Sequence, residues 1–151
     1  MTFQELMNLL KRANAEGWKD LGVRWDSGST FDDTDALKYM AALGISPDHY
    51  AIVDKGTPRE TFAAFCAALP PTLQTLAIPS SSMGDEDALA LAAKLPQTLT
   101  SLDLGYNSIG EAGAAALAAK LPQTLTSLDL YNNSIGDAGA AALAAKLPQT
   151  L

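Results

Sequence analysis

The sequence predicts an α/β solenoid, right-handed, with a curved parallel sheet on its concave side and helices on its convex side. Three observations lead there. A 26-residue unit recurs, each unit joins a short apolar alternation to a helical pattern, and Gly or Pro punctuates the joins. Residues 95–120 and 121–146 are twins that differ at three positions: Gly105 against Tyr131, Tyr106 against Asn132, and Glu111 against Asp137. An older copy spans 69–94.

The elements follow in chain order. Residues 2–17 predict a leading helix, with a capping box in Thr2 and Glu5, an apolar stripe of Phe3, Leu6, Met7 and Leu10, and Gly17 as its stop. Leu21 and Val23 are core positions of a first strand. Residues 33–44 predict a helix through Leu37, Met40 and Leu43 that ends at Gly44. Tyr50 and Ile52 are read as core positions of a second strand. Residues 57–69 predict a helix opened by Thr57 and Glu60 as a capping box, with Pro58 at the first helical position. The three regular copies then share L-x-x-L-x-L-x-x-N-x-I: Leu99, Leu102, Leu104, Asn107 and Ile109 in the second, Leu125, Leu128, Leu130, Asn133 and Ile135 in the third. The first copy has Leu73, Leu76, Ile78, Ser81 and Met83. After this pattern the period lengthens, with Leu117 and Leu121 four apart among alanines.

This pattern resembles the leucine-rich repeat family, specifically its ribonuclease-inhibitor-like subtype, directly over residues 69–151. Ser81, where the family carries Asn, is a departure. The resemblance implies one domain: a capping helix over 1–17, degenerate repeats over 18–68, regular repeats over 69–146, and the start of a truncated repeat over 147–151. Parallel strands stack about 4.8 Å apart and helices about 8–10 Å apart, so the two layers bend toward the strands. Asn107 and Asn133 are expected to satisfy turn backbone groups, Gly113 and Gly139 to let each helix lie close to its strand, and Asp85, Glu111 and Asp137 to sit at helix starts.

Ten basic against 17 acidic residues give a net charge of −7, the wrong sign for nucleic acid or an anionic membrane. No apolar run approaches the roughly 20 residues of a membrane span, and the start lacks a signal-peptide pattern. One cysteine, Cys66, excludes an internal disulfide and suits a cytoplasmic, reducing setting, and it is compatible with export by a route that needs no signal peptide. Cys66 shares a helical apolar stripe with Phe62, Phe65 and Leu69, which reads as a structural thiol rather than a nucleophile paired with His49. The acidic runs DDTD and DED lie at helix starts and match no calcium loop. No catalytic residue, metal or cofactor is expected.

What remains is the outward side of the strands. Asp103 and Asp129 sit between buried leucines, and Trp25, Tyr106 and Tyr131 edge the surface. Aromatic anchors beside charges suit a protein interface, so the expected partner-binding residues are Arg24, Trp25, His49, Asp54, Asp103, Tyr106, Asp129, Tyr131 and Asn132. For Trp25 and the tyrosines, packing against the protein itself is the competing reading. Alanine-rich, nearly identical repeats further resemble leucine-rich-repeat effectors of intracellular bacterial pathogens. The ribonuclease-inhibitor-like resemblance implies an inhibitor that covers an enzyme's active site, as a monomer or heterodimer, with Asp103 and Asp129 meeting a basic rim at the partner's cleft. An alternative class is a structural or assembly fragment of a longer or engineered scaffold.

Overall fold

A computed structural model describes residues 1–25 and 33–151; Asp32, in the DDTD run, lies outside them. Among the described residues six α-helices and five strands follow in order: α1 (Phe3–Glu16), β1 (Asp20–Trp25), α2 (Asp33–Ala42), a short 3-10 helix (Pro47–His49), β2 (Tyr50–Val53), α3 (Thr61–Ala67), β3 (Thr75–Ala77), α4 (Asp85–Ala92), β4 (Ser101–Asp103), α5 (Glu111–Ala118), β5 (Ser127–Asp129) and α6 (Gly136–Lys146). The strands form one parallel sheet, ordered β2-β1-β3-β4-β5.

From β3 onward the chain is a regular leucine-rich solenoid. Leu76, Leu102 and Leu128 stand in register, and Leu73, Leu76, Ile78, Leu99, Leu102, Leu104 and Ile109 are completely buried in the main core. A ladder of threonines joins the turns. The Thr98 hydroxyl donates to Pro71 and Leu73 carbonyls at 2.8 and 2.6 Å, Thr124 repeats this on Gln97 and Leu99, and Thr150 repeats it on Gln123 and Leu125. These hydroxyls satisfy strand-entry carbonyls that stacking would otherwise strand away from water.

The asparagines do the same at the strand exits. Asn107 Nδ2 donates to the Ile78 and Leu104 carbonyls at 2.8 and 2.9 Å, and its Oδ1 accepts the Ser81 and Met83 N–H groups. Ser81, at the departing position, accepts the Trp25 N–H at 3.0 Å and donates to Pro79. Asp85, the first residue of α4, accepts the Gly110 and Gly113 N–H groups of the next repeat at 2.7 and 2.9 Å. The glycines give room on two sides: a Cβ on Gly113 would lie 2.9 Å from Ile109 Cγ2 of its own repeat and 3.0 Å from Ala88 Cβ of the preceding helix, and one on Gly139 3.2 Å from both Ile135 Cβ and Ala114 Cβ.

The first third departs from the expected stack. β1 lies between β2 and β3, so the chain steps outward from β1 to β2 and then returns past β1 to β3. Right-handed crossovers running in opposite directions along a sheet put their helices on opposite faces. α2 accordingly lies on the concave face, where every helix was expected on the convex one. Met40 and Ile45 pack there on Ala77, and a Cβ on Gly22 would lie 2.5 Å from Met40 Sδ. β2 also pairs one residue out of the expected frame, with Gly22 opposite Tyr50 and Val23 opposite Ala51. Ala51 and Val53 therefore enter the main core instead of Tyr50 and Ile52, because a one-residue slip exchanges the two faces.

Local signals at the helix ends are mixed. α1 forms both bonds of its Thr2–Glu5 capping box and ends at Gly17 with φ +66°; its Leu6, Leu10 and Ala13 join the main core. α3 begins only at Thr61, without the Thr57–Glu60 box, since the Thr57 hydroxyl turns back to the Asp54 carbonyl.

Candidate functional site

The turns after β4 and β5 are built by an aspartate where β3 has Ala77. Asp103 Oδ1 accepts the Gly105 N–H at 2.9 Å, and Asp129 Oδ1 accepts the Tyr131 N–H at 2.8 Å. Backbone bonds then link the turns, Tyr106 N–H donating to the Tyr131 carbonyl at 2.8 Å. The residue following lies in the left-handed region: φ is +48° at Ser80, +59° at Tyr106 and +57° at Asn132. Asn accepts that conformation readily and Tyr does not.

Tyr39 of α2 reaches this end of the sheet. Its hydroxyl lies 2.7 and 2.8 Å from the two oxygens of Asp103. Its ring meets Tyr106 edge to face at 6.3 Å between centroids, and Tyr106 meets Tyr131 likewise at 5.6 Å. Tyr106 is 41% exposed, Tyr131 68%, and Asn132 is exposed, whereas Asp129 is half-buried. Burial pushes the Asp103 carboxyl above its ordinary range, opposed by the Gly105 N–H and the Tyr39 hydroxyl. Burial, then the bond to Asp103, push the Tyr39 phenol upward as well.

Four expected contact residues thus gather at one corner: Tyr106, Asp129, Tyr131 and Asn132. Asp103 lies beneath them, only 4% exposed, because Tyr39 covers it. Sequence reasoning missed Tyr39. Its one trace was Gly105, where a Cβ would stand 3.1 Å from the Tyr39 hydroxyl and 3.2 Å from Asp103 Oδ1.

The others lie elsewhere. Trp25 is 2% exposed because the alternation of Leu21 and Val23 runs on to it; its ring packs edge to face on Phe62 and Phe65. Arg24 is equally buried on the α2 side of β1, 3.7 Å from Asp33. His49 stacks on Trp18 at 3.6 Å, with Nδ1 2.9 Å from Asp20 Oδ1. Asp54 pairs with the Met1 amino group at 2.9 Å. Arg24 and Trp25 are thereby corrected from exposed edge to interior.

Little here supports chemistry. Cys66 is 1% exposed in the main core, where burial pushes its thiol up to about 12, leaving it protonated at neutral pH. Among the described residues no three His, Cys, Asp or Glu side chains group so as to hold a metal ion, and no helix is long and apolar enough to cross a membrane.

The parallel sheet alternating with helices, tied by threonine and asparagine ladders, is the solenoid of leucine-rich-repeat proteins. Residues 96–118 and 122–144 each match the Leucine Rich repeat family, which supports placing the chain with that family. No curated protein matches the chain significantly.

Proposed function

We propose that the chain is a non-catalytic protein-binding module whose partner docks at Tyr106, Asp129, Tyr131 and Asn132. One observation carries this reading. Between twin repeats, two of the three differences place tyrosines on the exposed concave face, beside a carboxylate and on a rigid turn, where the core needs neither ring.

The finer reading follows the resemblance stated above. The partner is an enzyme with a basic cleft rim, and the module inhibits it by occlusion, as an effector acting in a host cytosol. Because α2 covers Gly22, Ala77 and Asp103, the occluding surface is the C-terminal half of the face alone. Affinity capture from host-cell lysate, then titration calorimetry with the triple variant Tyr106→Ala, Asp129→Ala, Tyr131→Ala, tests it. Unchanged affinity in the variant removes the surface assignment, and a captured enzyme that stays active under saturating module removes inhibition.

A second reading, an assembly fragment, is favoured by the β5 side. β5 pairs only with β4 among the described residues, Leu128, Leu130 and Ile135 are partly buried, and Leu147 and Leu151 are 45% and 43% exposed. Open-ended self-association in light scattering supports that reading, and a monomer supports recognition.

A further inference from the structure

We infer that the concave face beside α2 is a seat for a second helix, supplied by the partner protein and carrying a basic side chain that meets Asp129. This rests on the protein-binding reading of the same corner and specifies what kind of segment binds there.

The molecule contains its own template for the contact. α2 lies over Gly22 and Ala77, and a hydroxyl from it reaches Asp103 one strand further on. β5 repeats β4 in residue and register, with Asp129 opposite Asp103 and each aspartate accepting the N–H two residues on. At Asp103 a helix-borne donor completes the carboxylate. At Asp129, among the described residues, the second oxygen has no hydrogen-bonded donor. Among the described residues the concave-face helix layer stops at β3, and only the Tyr39 hydroxyl reaches β4.

Spacing places the missing element. Neighbouring helices pack about 8–10 Å apart and parallel strands about 4.8 Å apart, so a helix beside α2 falls two strands along, over β4 and β5. Tyr39, Tyr106 and Tyr131 form a row of mutually edge-on rings there. The twin difference fits the same geometry. Glycine at 105 clears the helix already seated, and tyrosine at 131 adds a ring where, among the described residues, none is seated. A cationic donor suits Asp129 better than a second phenol, since exposed tyrosine faces attract cations and the chain's net charge is −7.

Selection from a displayed library of alanine-rich helical peptides, randomised on one face, against the whole chain tests the seat. The recovered peptides should share one Arg or Lys and gain helicity on binding, read by circular dichroism of the isolated peptide and complex. Their affinity should fall on the order of tenfold with Asp129→Asn or Tyr131→Ala, and stay level with Leu89→Ala, an exposed control on α4. Asparagine retains the oxygen that accepts the Tyr131 N–H, and urea unfolding of each variant reports that the fold persists. Binders that need Asp129 and Tyr131 yet stay extended overturn the helical seat while leaving the protein-binding reading standing. Binders indifferent to both substitutions, or no binders at all, overturn the two together.

Discussion

The hydroxyl of Tyr39 is shared between both oxygens of Asp103, at 2.7 and 2.8 Å, across a sequence separation of 64 residues. It ties α2 to the far side of the concave face. Tyr39→Phe leaves a carboxylate that is 4% exposed without this donor, and hydrogen bonds to charged groups contribute about 1.5–3 kcal/mol. We expect a loss in that range in urea unfolding. Amides of α2 should exchange faster while those of α4 and α5 do not, because the main core is built without Tyr39. Uniform loss of protection would show that α2 is not held separately.

That contact marks where the sequence stops being readable. Leu76, Leu102 and Leu128, the asparagine ladder and the register of β3, β4 and β5 are all local properties of a repeated unit, so periodicity exposes them. β2 is different. In HYAIVD either phase alternates apolar residues, and the larger pair, Tyr50 and Ile52, suggests the wrong one; Ala51 fits the core because α1 and α3 bring Leu6, Phe62 and Phe65 to it. The face taken by α2 depends on strand order, which no local pattern encodes. At the candidate site, comparing twins exposed Tyr106 and Tyr131. The cover on Asp103 came from a helix 64 residues away and left only Gly105 as its mark.

Asp20 and Asp103 predict opposite responses to acid. At Asp20, burial acts to raise the carboxyl, but the Ser46 N–H and His49 outweigh it and hold it below its ordinary value. The unfolded chain then binds more protons, so this contribution is present above about pH 3.9 and lost as pH falls through the folded value. At Asp103, burial raises the folded value, so its contribution is present below about pH 3.9 and lost as pH rises through the folded value. Urea midpoints from about pH 7 to 3 should show wild type gaining on Asp103→Asn as acid is added. Its advantage over Asp20→Asn should shrink at the acidic end. Parallel curves for the two variants would contradict both assignments.

Tyr106 stands at φ +59°, where its twin Asn132 stands at +57°. For a residue with a Cβ this conformation costs about 1–2 kcal/mol, and Asn tolerates it best after Gly. Tyr106→Ala removes the ring contacts with Tyr39 and Tyr131 and keeps the strain; Tyr106→Asn removes the same contacts and relieves it. The Asn variant should therefore be about 1 kcal/mol more stable than the Ala variant in chemical denaturation. Equal stability would place no strain at this turn.

The Gly105 and Tyr131 exchange is testable as a swap. Gly105→Tyr puts a Cβ 3.1 Å from the Tyr39 hydroxyl, which must give way, at a cost of about 1–3 kcal/mol. Adding Tyr39→Ala removes the nearer obstacle and leaves Asp103 Oδ1 at 3.2 Å, so measured against Tyr39→Ala alone the Gly105→Tyr change should cost less than it does in wild type. A simple sum of the two single effects would mean that Gly105 answers some other need.

Asn107 and Asn133 occupy the same place in twin repeats but serve different numbers of neighbours. Asn107 is 8% exposed and takes two N–H groups, Ser81 and Met83, while donating to two strands. Asn133 is half-buried and accepts one, from Ile109 at 3.0 Å. An unsatisfied buried group costs about 1–3 kcal/mol, less where water can replace the partner. Asn107→Ala should therefore lose roughly 2–4 kcal/mol and Asn133→Ala roughly 1–2 kcal/mol, both read from thermal or urea unfolding. Asn107→Ser should fall between Asn107→Ala and wild type. The serine at position 81 serves one donor and one acceptor, but a single hydroxyl cannot span the five groups that the Asn107 amide joins. Equal losses for Ser and Ala at 107 would mean that the backbone finds these partners without the side chain, and the ladder would then be a consequence of stacking instead of one of its causes.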